Sequence, residues 1–381
     1  MRNLIYINNG VSSVFESQVL AFVKYVKQCE LFDRVTLLFG YKNNGEKEFL
    51  KTRCLEGIDV IYFKTFPNYC LFNWLIKINL QKAIATLGND HIAHSIFHIR
   101  GEMMSYHLWK IKSRFGIYDR NIVTDIRGVS LEEYKIYSSK SPYDFFKISN
   151  YRNALKELKN NYGKISVVSN ALKTFLVDKY KVDQSRIAVN SCLVGPNFNF
   201  SIEKRVEIRR QMNLLEEEIL IVFASGGTAA WQLNERITEL ANNGFKVLNL
   251  SRKAINHGNI INKFISFNKM PEYLSAADVA FIWRDHNIVN WVSSPVKFSE
   301  YLACGLPLIH NGSIDLVSRI TMEFDCGLQV SDISSISRSK VRDLIDKTDR
   351  VKLGKKGQTI FGMKRAVHGY SELYALSNNL E

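Results

Sequence analysis

A lysine and a glutamate three residues apart, at the start of a short helix, are the clearest chemical signal in the sequence. They lie in Ser293-Ser294-Pro295-Val296-Lys297-Phe298-Ser299-Glu300-Tyr301-Leu302-Ala303-Cys304-Gly305-Leu306-Pro307. Ser294 reads as an N-cap and Pro295 as the first helical residue, where no amide proton is needed. Gly305, with Pro307 just beyond it, reads as the helix end. The amides and dipole at such a helix start form an anion site, which places Ser294, Pro295 and Val296 against the anion. Lys297 and Glu300 share one helix face, while Phe298, Tyr301 and Leu302 turn toward the core. This arrangement suits a nucleoside diphosphate: lysine and amides take the phosphates, and the carboxylate accepts from both ribose hydroxyls. A well-capped helix carrying a surface ion pair is the structural alternative.

Other candidates fall after apolar, strand-like runs. Gly10 and Ser12 follow residues 4–7, and Gly226 and Gly227 follow residues 219–224. Arg284 follows residues 279–283 and either supplies positive charge there or pairs with Asp285. Arg100, Asp125 and Arg127 sit at the ends of two further strands. They read as ligand contacts, or as an internal salt-bridge network bracing the loops. His310 ends a strand near the Lys297 helix and is a further candidate. His91, His94 and His98 have metal-like spacing but straddle a strand start, which scatters their side chains. No D-x-D motif stands near a strand end, so the expected site uses fixed charges, with no metal and no other cofactor.

The elements that position these residues alternate between strand and helix. Strands are expected at 4–7, 35–39, 59–63, 95–99, 122–124 and 165–168, with amphipathic stretches such as 102–114 and 171–180 between them. Val19, Phe22, Val23 and Val26 follow the helical i, i+3, i+4, i+7 spacing. The rhythm restarts after the turn-rich Leu193-Val194-Gly195-Pro196-Asn197, with strands expected at 219–224, 246–250, 264–267, 279–283 and 308–310. This is the pattern of two doubly wound α/β sheets, and the expected architecture is two Rossmann-like domains facing across a cleft. Ligands of such sheets sit at the carboxyl ends of the strands, where both glycine loops fall.

Composition agrees with a globular protein of this size. A chain of 381 residues is too long for one ordinary core. Its 46% hydrophobic and 23% charged residues exclude a disordered chain. The six cysteines include no C-x-x-C pair, which suits reduced thiols in a cytoplasmic protein. The apolar stretch at 71–80 is broken by Asn73, Lys77 and Asn79, and no secretory leader is apparent. Residues 1–200 carry 28 Lys and Arg against 17 Asp and Glu, whereas 201–381 carry 23 against 20. Much of the basic excess lies between Lys110 and Lys181, interleaved with Tyr134, Tyr137, Tyr143, Phe145, Phe146 and Tyr151. That band reads as a solvated basic face or as a face for an anionic membrane surface. Nucleic acid is not an expected partner, because no zinc-finger, RNP or basic-heptad signature is present.

The Ser294–Pro307 segment strongly resembles the donor-binding helix of glycosyltransferase family 4, in the subgroup reading S-P-x-K-F-x-E-Y-L-A-x-G-L-P. The resemblance extends over most of the chain. Val14-Phe15-Glu16-Ser17-Gln18-Val19 is similar to the family's first helix start. His98-Ile99-Arg100-Gly101 and Thr124-Asp125-Ile126-Arg127-Gly128, followed by Glu132-Glu133, resemble its paired acceptor loops. Ser166-Val167-Val168-Ser169-Asn170 resembles the strand end before the hinge. Ser225-Gly226-Gly227-Thr228 through Trp231-Gln232 resembles the first turn of the nucleotide domain, and Pro271-Glu272-Tyr273-Leu274-Ser275-Ala276-Ala277-Asp278 the helix beside the nucleobase.

Many members carry a further glutamate seven residues before the one at Glu300's position; here Val292 stands in its place. The resemblance implies the GT-B fold, with an acceptor domain at 1–196, a nucleotide-sugar domain at 197–365 and a C-terminal helix about 366–381 packing back on the first. It implies transfer with retention from a nucleotide-sugar donor to a glycan or lipid-linked acceptor, in bacterial capsule, O-antigen or lipopolysaccharide synthesis. It further implies a hexosyltransferase on the inner face of the plasma membrane, with Lys297, Arg100, Asp125 and Arg127 as catalytic groups and no protein nucleophile. A degenerate, non-catalytic binding protein and a sugar epimerase of the same architecture are the rival readings.

Overall fold

The computed structural model describes residues 2–66, 73–138, 141–161, 163–226 and 235–374. They form two compact units, one running to Ser191 and resuming at Val367, the other Cys192–Ala366.

The first unit is built on a parallel sheet of β1 (Asn3–Asn9), β2 (Arg34–Tyr41), β3 (Ile58–Lys64), β4 (Ser95–Arg100), β5 (Ile122–Ile126), β6 (Lys164–Val167) and β7 (Ile187–Val189). Their spatial order is β3-β2-β1-β4-β5-β6-β7. In β1, Leu4, Ile5, Tyr6 and Ile7 are all buried, so both sheet faces are covered and the strand reads as an unbroken apolar run. The helix Ala21–Gln28 that follows buries Phe22, Val23 and Val26, as its spacing predicts. It is entered through a π-helical turn, Glu16–Leu20.

The second unit repeats the scheme with β8 (Leu220–Ser225), β9 (Lys246–Ser251), β10 (Ile260–Asn262), β11 (Val279–Ile282), β12 (Leu308–His310) and β13 (Gly327–Gln329). The order is β10-β9-β8-β11-β12-β13, again all parallel. In each sheet the connection reverses direction once, beside β1 and β4 in the first and beside β8 and β11 in the second. The carboxyl ends of the strands at such a reversal are the usual ligand position in these sheets.

Several sequence expectations are corrected. The strand expected at 264–267 is absent; β10 pairs with β9 four residues earlier, and Phe264 is exposed. The ladder ends at the bond from Lys263 N–H to the Asn249 carbonyl, and Ile265, on irregular backbone, and Phe267, opening a short 3-10 turn, pack on the core. β7 and β13, three residues each, are too short to show a period and are held by pairing with β6 and β12. The helix expected over 102–114 ends at Trp109.

The domain boundary also moves, from 196 to 191. Val194 N–H donates to the Phe361 carbonyl at 2.8 Å, and Gln358 Nε2 donates to the carbonyls of Gly195 and Phe198. Val194 and Phe198 are buried in the second unit's core. From Val367 onward the chain belongs to the first unit, where Tyr370 and Tyr374 are buried. Among the described residues no helix is long and apolar enough to cross a membrane.

Candidate functional site

In the second unit, the helix Val296–Ala303 lies between β11 and β12. It runs back from the carboxyl edge of the sheet, so its start stands at that edge, near the reversal between β8 and β11. The helix begins one residue later than its sequence suggests. Pro295 holds the N-cap position with an extended ψ of 127°, and no side chain caps the turn. Ser294 is instead committed elsewhere, its hydroxyl accepting the Cys192 N–H at 3.0 Å. Gly305 ends the helix at φ +69°, and a Cβ there would lie 2.1 Å from the Arg350 carbonyl oxygen. The facing helix, Arg350–Phe361, approaches just as closely at Gly357, where a Cβ would meet the Leu302 carbonyl carbon at 2.6 Å. Arg350 fixes the far end of the Val296 helix by donating to the carbonyls of Cys304, Leu274, Ser275 and Ala277. The site helix is thereby clamped, backbone against backbone.

Lys297 Nζ lies 2.7 Å from Glu300 Oε2. The lysine side chain is 22% exposed and the carboxylate 2%, so the pair presents its cation outward and buries its anion. Burial pushes the Glu300 carboxyl above its ordinary value, and Lys297 pulls it back. Phe298, Tyr301 and Leu302 enter the core, as expected. The Tyr301 hydroxyl accepts the Ala224 N–H near the end of β8, which ties the helix to that strand.

Arg284 is brought to the same edge: its Nη1 donates to Ser293 Oγ at 3.4 Å. Gly226 follows β8 and is exposed, while Gly227 and the Thr228, Trp231 and Gln232 of its motif lie outside the described residues. Val292 is completely buried, so a carboxylate at that position would have to be desolvated. His310 ends β12 at the same carboxyl edge, level with Ile282 of β11, but its ring is buried and committed to internal bonds. Its Nδ1 accepts the Gly312 N–H and its Nε2 meets Thr321 Oγ1, which itself donates to the Val317 carbonyl. The ring is a buried neutral donor–acceptor, its pKa lowered by burial to about 4.

In the first unit, Gly10 (φ +74°) turns the chain after β1. Its loop already meets a carboxylate: Glu46 accepts the Lys42 N–H at 2.8 Å and the Val11 N–H at 3.5 Å. Ser12 is exposed beside it. At the neighbouring ends of β4 and β5, Arg100, Asp125 and Arg127 converge. Asp125 is 1% exposed; its Oδ2 lies 3.6 Å from Arg100 Nη1, and its Oδ1 accepts from Arg127 Nη1 at 3.4 Å. Burial disfavours the carboxylate, but Arg127, His98 and Arg100 together outweigh it and hold the group well below the usual range. One carboxylate against two guanidinium groups leaves one excess positive charge at this edge. The two arginine side chains remain 15% and 16% exposed.

Local sequence does not announce this cluster's other members. Tyr370 donates to Asp125 Oδ1 at 3.2 Å, and Tyr374 hydrogen-bonds His98 Nδ1. These partners lie 245 and 276 residues apart in the chain, beyond the reach of any motif. Glu132 pairs with Lys179 and accepts from Tyr180, while burial pushes the Glu102 carboxyl up. The three histidines do not converge: His98 is buried in this cluster, and His94 is half-exposed and pairs with Asp90. Among the described residues no group of three His, Cys, Asp or Glu is placed to hold a metal ion.

No protein-family model matches the sequence. No curated protein matches it either. Solved structures do match, over nearly the whole chain. A glycosyltransferase from Rickettsia africae is 15% identical, with a TM-score of 0.69 over 99% of each chain. Anabaena Alr3699/HepE in complex with UDP is 12% identical, with a TM-score of 0.66 over 99% of this chain and 100% of that one. WaaG, a glycosyltransferase involved in lipopolysaccharide biosynthesis, is 12% identical, with a TM-score of 0.62 over 98% and 97%. At these identities the likeness is one of fold, and the fold of this chain is the two-sheet GT-B fold of glycosyltransferases.

Proposed function

We propose that this protein is a nucleotide-sugar-dependent glycosyltransferase of family 4 type. One observation carries the reading: a buried glutamate and an outward lysine, on a clamped helix, stand at the reversal point of the second sheet. The fold and the UDP and UDP-glucose bound by HepE support it. Lys297 and the helix start at Pro295 and Val296 hold the donor diphosphate, because the first N–H groups of any helix lack intrahelical acceptors. Glu300 accepts from the ribose hydroxyls, and Arg284 and Gly226 border the same anion. Ser294, with its hydroxyl engaged by Cys192, contributes through backbone alone.

Charge builds on the diphosphate as the glycosidic bond breaks, so fixed cations stabilise the transition state more than the ground state. The leaving diphosphate assists removal of the acceptor proton on the same sugar face, which retains configuration without a protein nucleophile or a metal. Arg100 and Arg127 contact the sugar or acceptor, with Asp125 aiming them. The acceptor is a glycan or lipid-linked glycan of a bacterial surface polysaccharide, reached from the inner membrane face. Exposed Ile136, Tyr143, Phe145 and Phe146 beside Lys135 and Lys147 are suited to an anionic headgroup layer.

The test is a panel of nucleoside diphosphates and nucleotide sugars, scored for thermal stabilisation and slow donor hydrolysis. A ligand that binds only the native state raises its stability. Stabilisation with hydrolysis supports a transferase; binding without turnover points to a non-catalytic relative; neither refutes the reading.

A further inference from the structure

Five groups at the carboxyl edge of the first sheet close a ring of hydrogen bonds. Arg127 Nη1 donates to Asp125 Oδ1 and also, at 3.3 Å, to the Asn190 carbonyl. Asn190 Nδ2 donates to Ser166 Oγ at 3.3 Å, and Ser166 Oγ donates to the Tyr370 hydroxyl at 3.3 Å. Tyr370 completes the ring by donating to Asp125 Oδ1 at 3.2 Å. Each hydroxyl accepts one bond and passes one on, so two donor paths leave Arg127, one direct and one through Asn190, Ser166 and Tyr370, and both end on Asp125 Oδ1. Ser166, Asp125 and Tyr370 are buried, which removes water as a substitute partner. Arg127 Nη2 reaches further, to Gln18 Oε1 in the π-helical turn after β1. Tyr370 enters this ring from the helix Met363–Leu373, and its ring packs edge-on against Phe22 with centroids 4.9 Å apart.

We propose that Tyr370 is a positioning residue, which fixes the rotation of the Asp125 carboxylate and through it the direction of the Arg127 guanidinium. Asp125 Oδ2 faces Arg100 and His98 at 3.6 and 3.7 Å, too long to lock the carboxylate from that side. The hydroxyl on Oδ1 therefore makes the shorter, directional contact that sets the plane. Tyr374, which bonds His98 on the other side, leaves Oδ1 untouched. The C-terminal helix thus contributes one specific hydroxyl to the arginine edge, beyond its packing. The consequence for a ligand rests on the reading that Arg127 faces substrate; the positioning does not.

The test uses the full chain with Tyr370→Phe, which deletes the hydroxyl and keeps the ring. Guanidinium rotation is read by NMR on arginine-labelled protein, and binding of UDP-glucose, which carries a sugar, by calorimetry. Arg127 rotation is expected to speed up at least several-fold in Tyr370→Phe and to stay unchanged in the control Tyr374→Phe. UDP-glucose affinity is expected to fall several-fold in Tyr370→Phe, and the Tyr370→Phe effect is expected to vanish in an Arg127→Ala background. Unchanged Arg127 rotation in a folded Tyr370→Phe protein overturns the proposal. Faster rotation in Tyr370→Phe, with UDP-glucose binding indifferent to Arg127→Ala, supports the positioning and refutes the donor-sugar role of Arg127. If Tyr370→Phe does not fold, Ser166→Ala removes the donor behind Tyr370 and must loosen Arg127 in the same sense.

Discussion

Replacing Glu300 by Gln separates donor recognition from folding, because burial makes the carboxylate a cost to the fold, whereas the proposed ribose contact makes it a gain to binding. Its side chain is 2% exposed, and its recorded partner is Lys297, at 2.7 Å. Burial raises the folded pKa above the unfolded one, so the folded state holds the proton more tightly. Stability is then lost as pH rises through the unfolded value, and at neutral pH the ionised group opposes folding. Glutamine keeps the shape and removes that cost, while Lys297 retains access to water. The variant is expected to match or slightly exceed the wild-type melting temperature, with the difference growing as pH rises from acid to neutral.

Binding should move the other way. A carboxylate accepting from two ribose hydroxyls makes two charged hydrogen bonds of about 1.5–3 kcal/mol each. A neutral acceptor retains about half of that strength. The expected loss is about 1.5–3 kcal/mol, roughly 10- to 150-fold in Kd. Calorimetric titration of both proteins with UDP, then with the best nucleotide from the stabilisation panel, gives the comparison. Equal affinity in wild type and a folded Glu300→Gln protein would refute the ribose assignment.

Lys297→Ala should lower turnover more than donor affinity, because the lysine meets charge that grows during bond breaking; equal losses would mark it as a uniform binding group. Turnover should persist in chelator, and abolition by EDTA would overturn the fixed-charge mechanism. Replacing Phe145 and Phe146 together by Ser should reduce co-sedimentation with anionic vesicles at low salt; wild-type protein that ignores such vesicles would refute membrane docking. Stability should fall on acidification below pH 6.5, because His107 is buried and held neutral, its pKa lowered to about 4. The unfolded chain binds that proton near 6.5 and the folded chain does not, so about 2 kcal/mol is lost by pH 5. Urea unfolding at pH 7.5 and 5 should show the slope reduced in His107→Phe, and an unchanged slope would contradict the assignment.

Local order along the chain determined the architecture. Apolar runs at 4–7, 35–39 and 219–224 are strands because residues buried on both faces of a parallel sheet cannot alternate with polar ones. The Val296–Ala303 helix was legible because its Lys297–Glu300 spacing, apolar stripe and terminal Gly305 all act within two turns. Its exact start was not, because Ser294 chose a partner 102 residues away, the Cys192 amide, over the local cap. Short edge strands such as β7 and β13 escaped for a related reason: pairing with a neighbour, not their own composition, makes them strands.

The identities of Arg100, Asp125 and Arg127 were also readable, as charged residues ending strands, but their state was not. Whether a carboxylate is solvated, paired or braced depends on what covers it, and here the cover is Tyr370 and His98. The sequence could name the charges at each strand end. Only folding, which brings the C-terminal helix against β5 and β6, decided which of them are held and by what, because a hydrogen bond forms between neighbours in space whatever their distance along the chain.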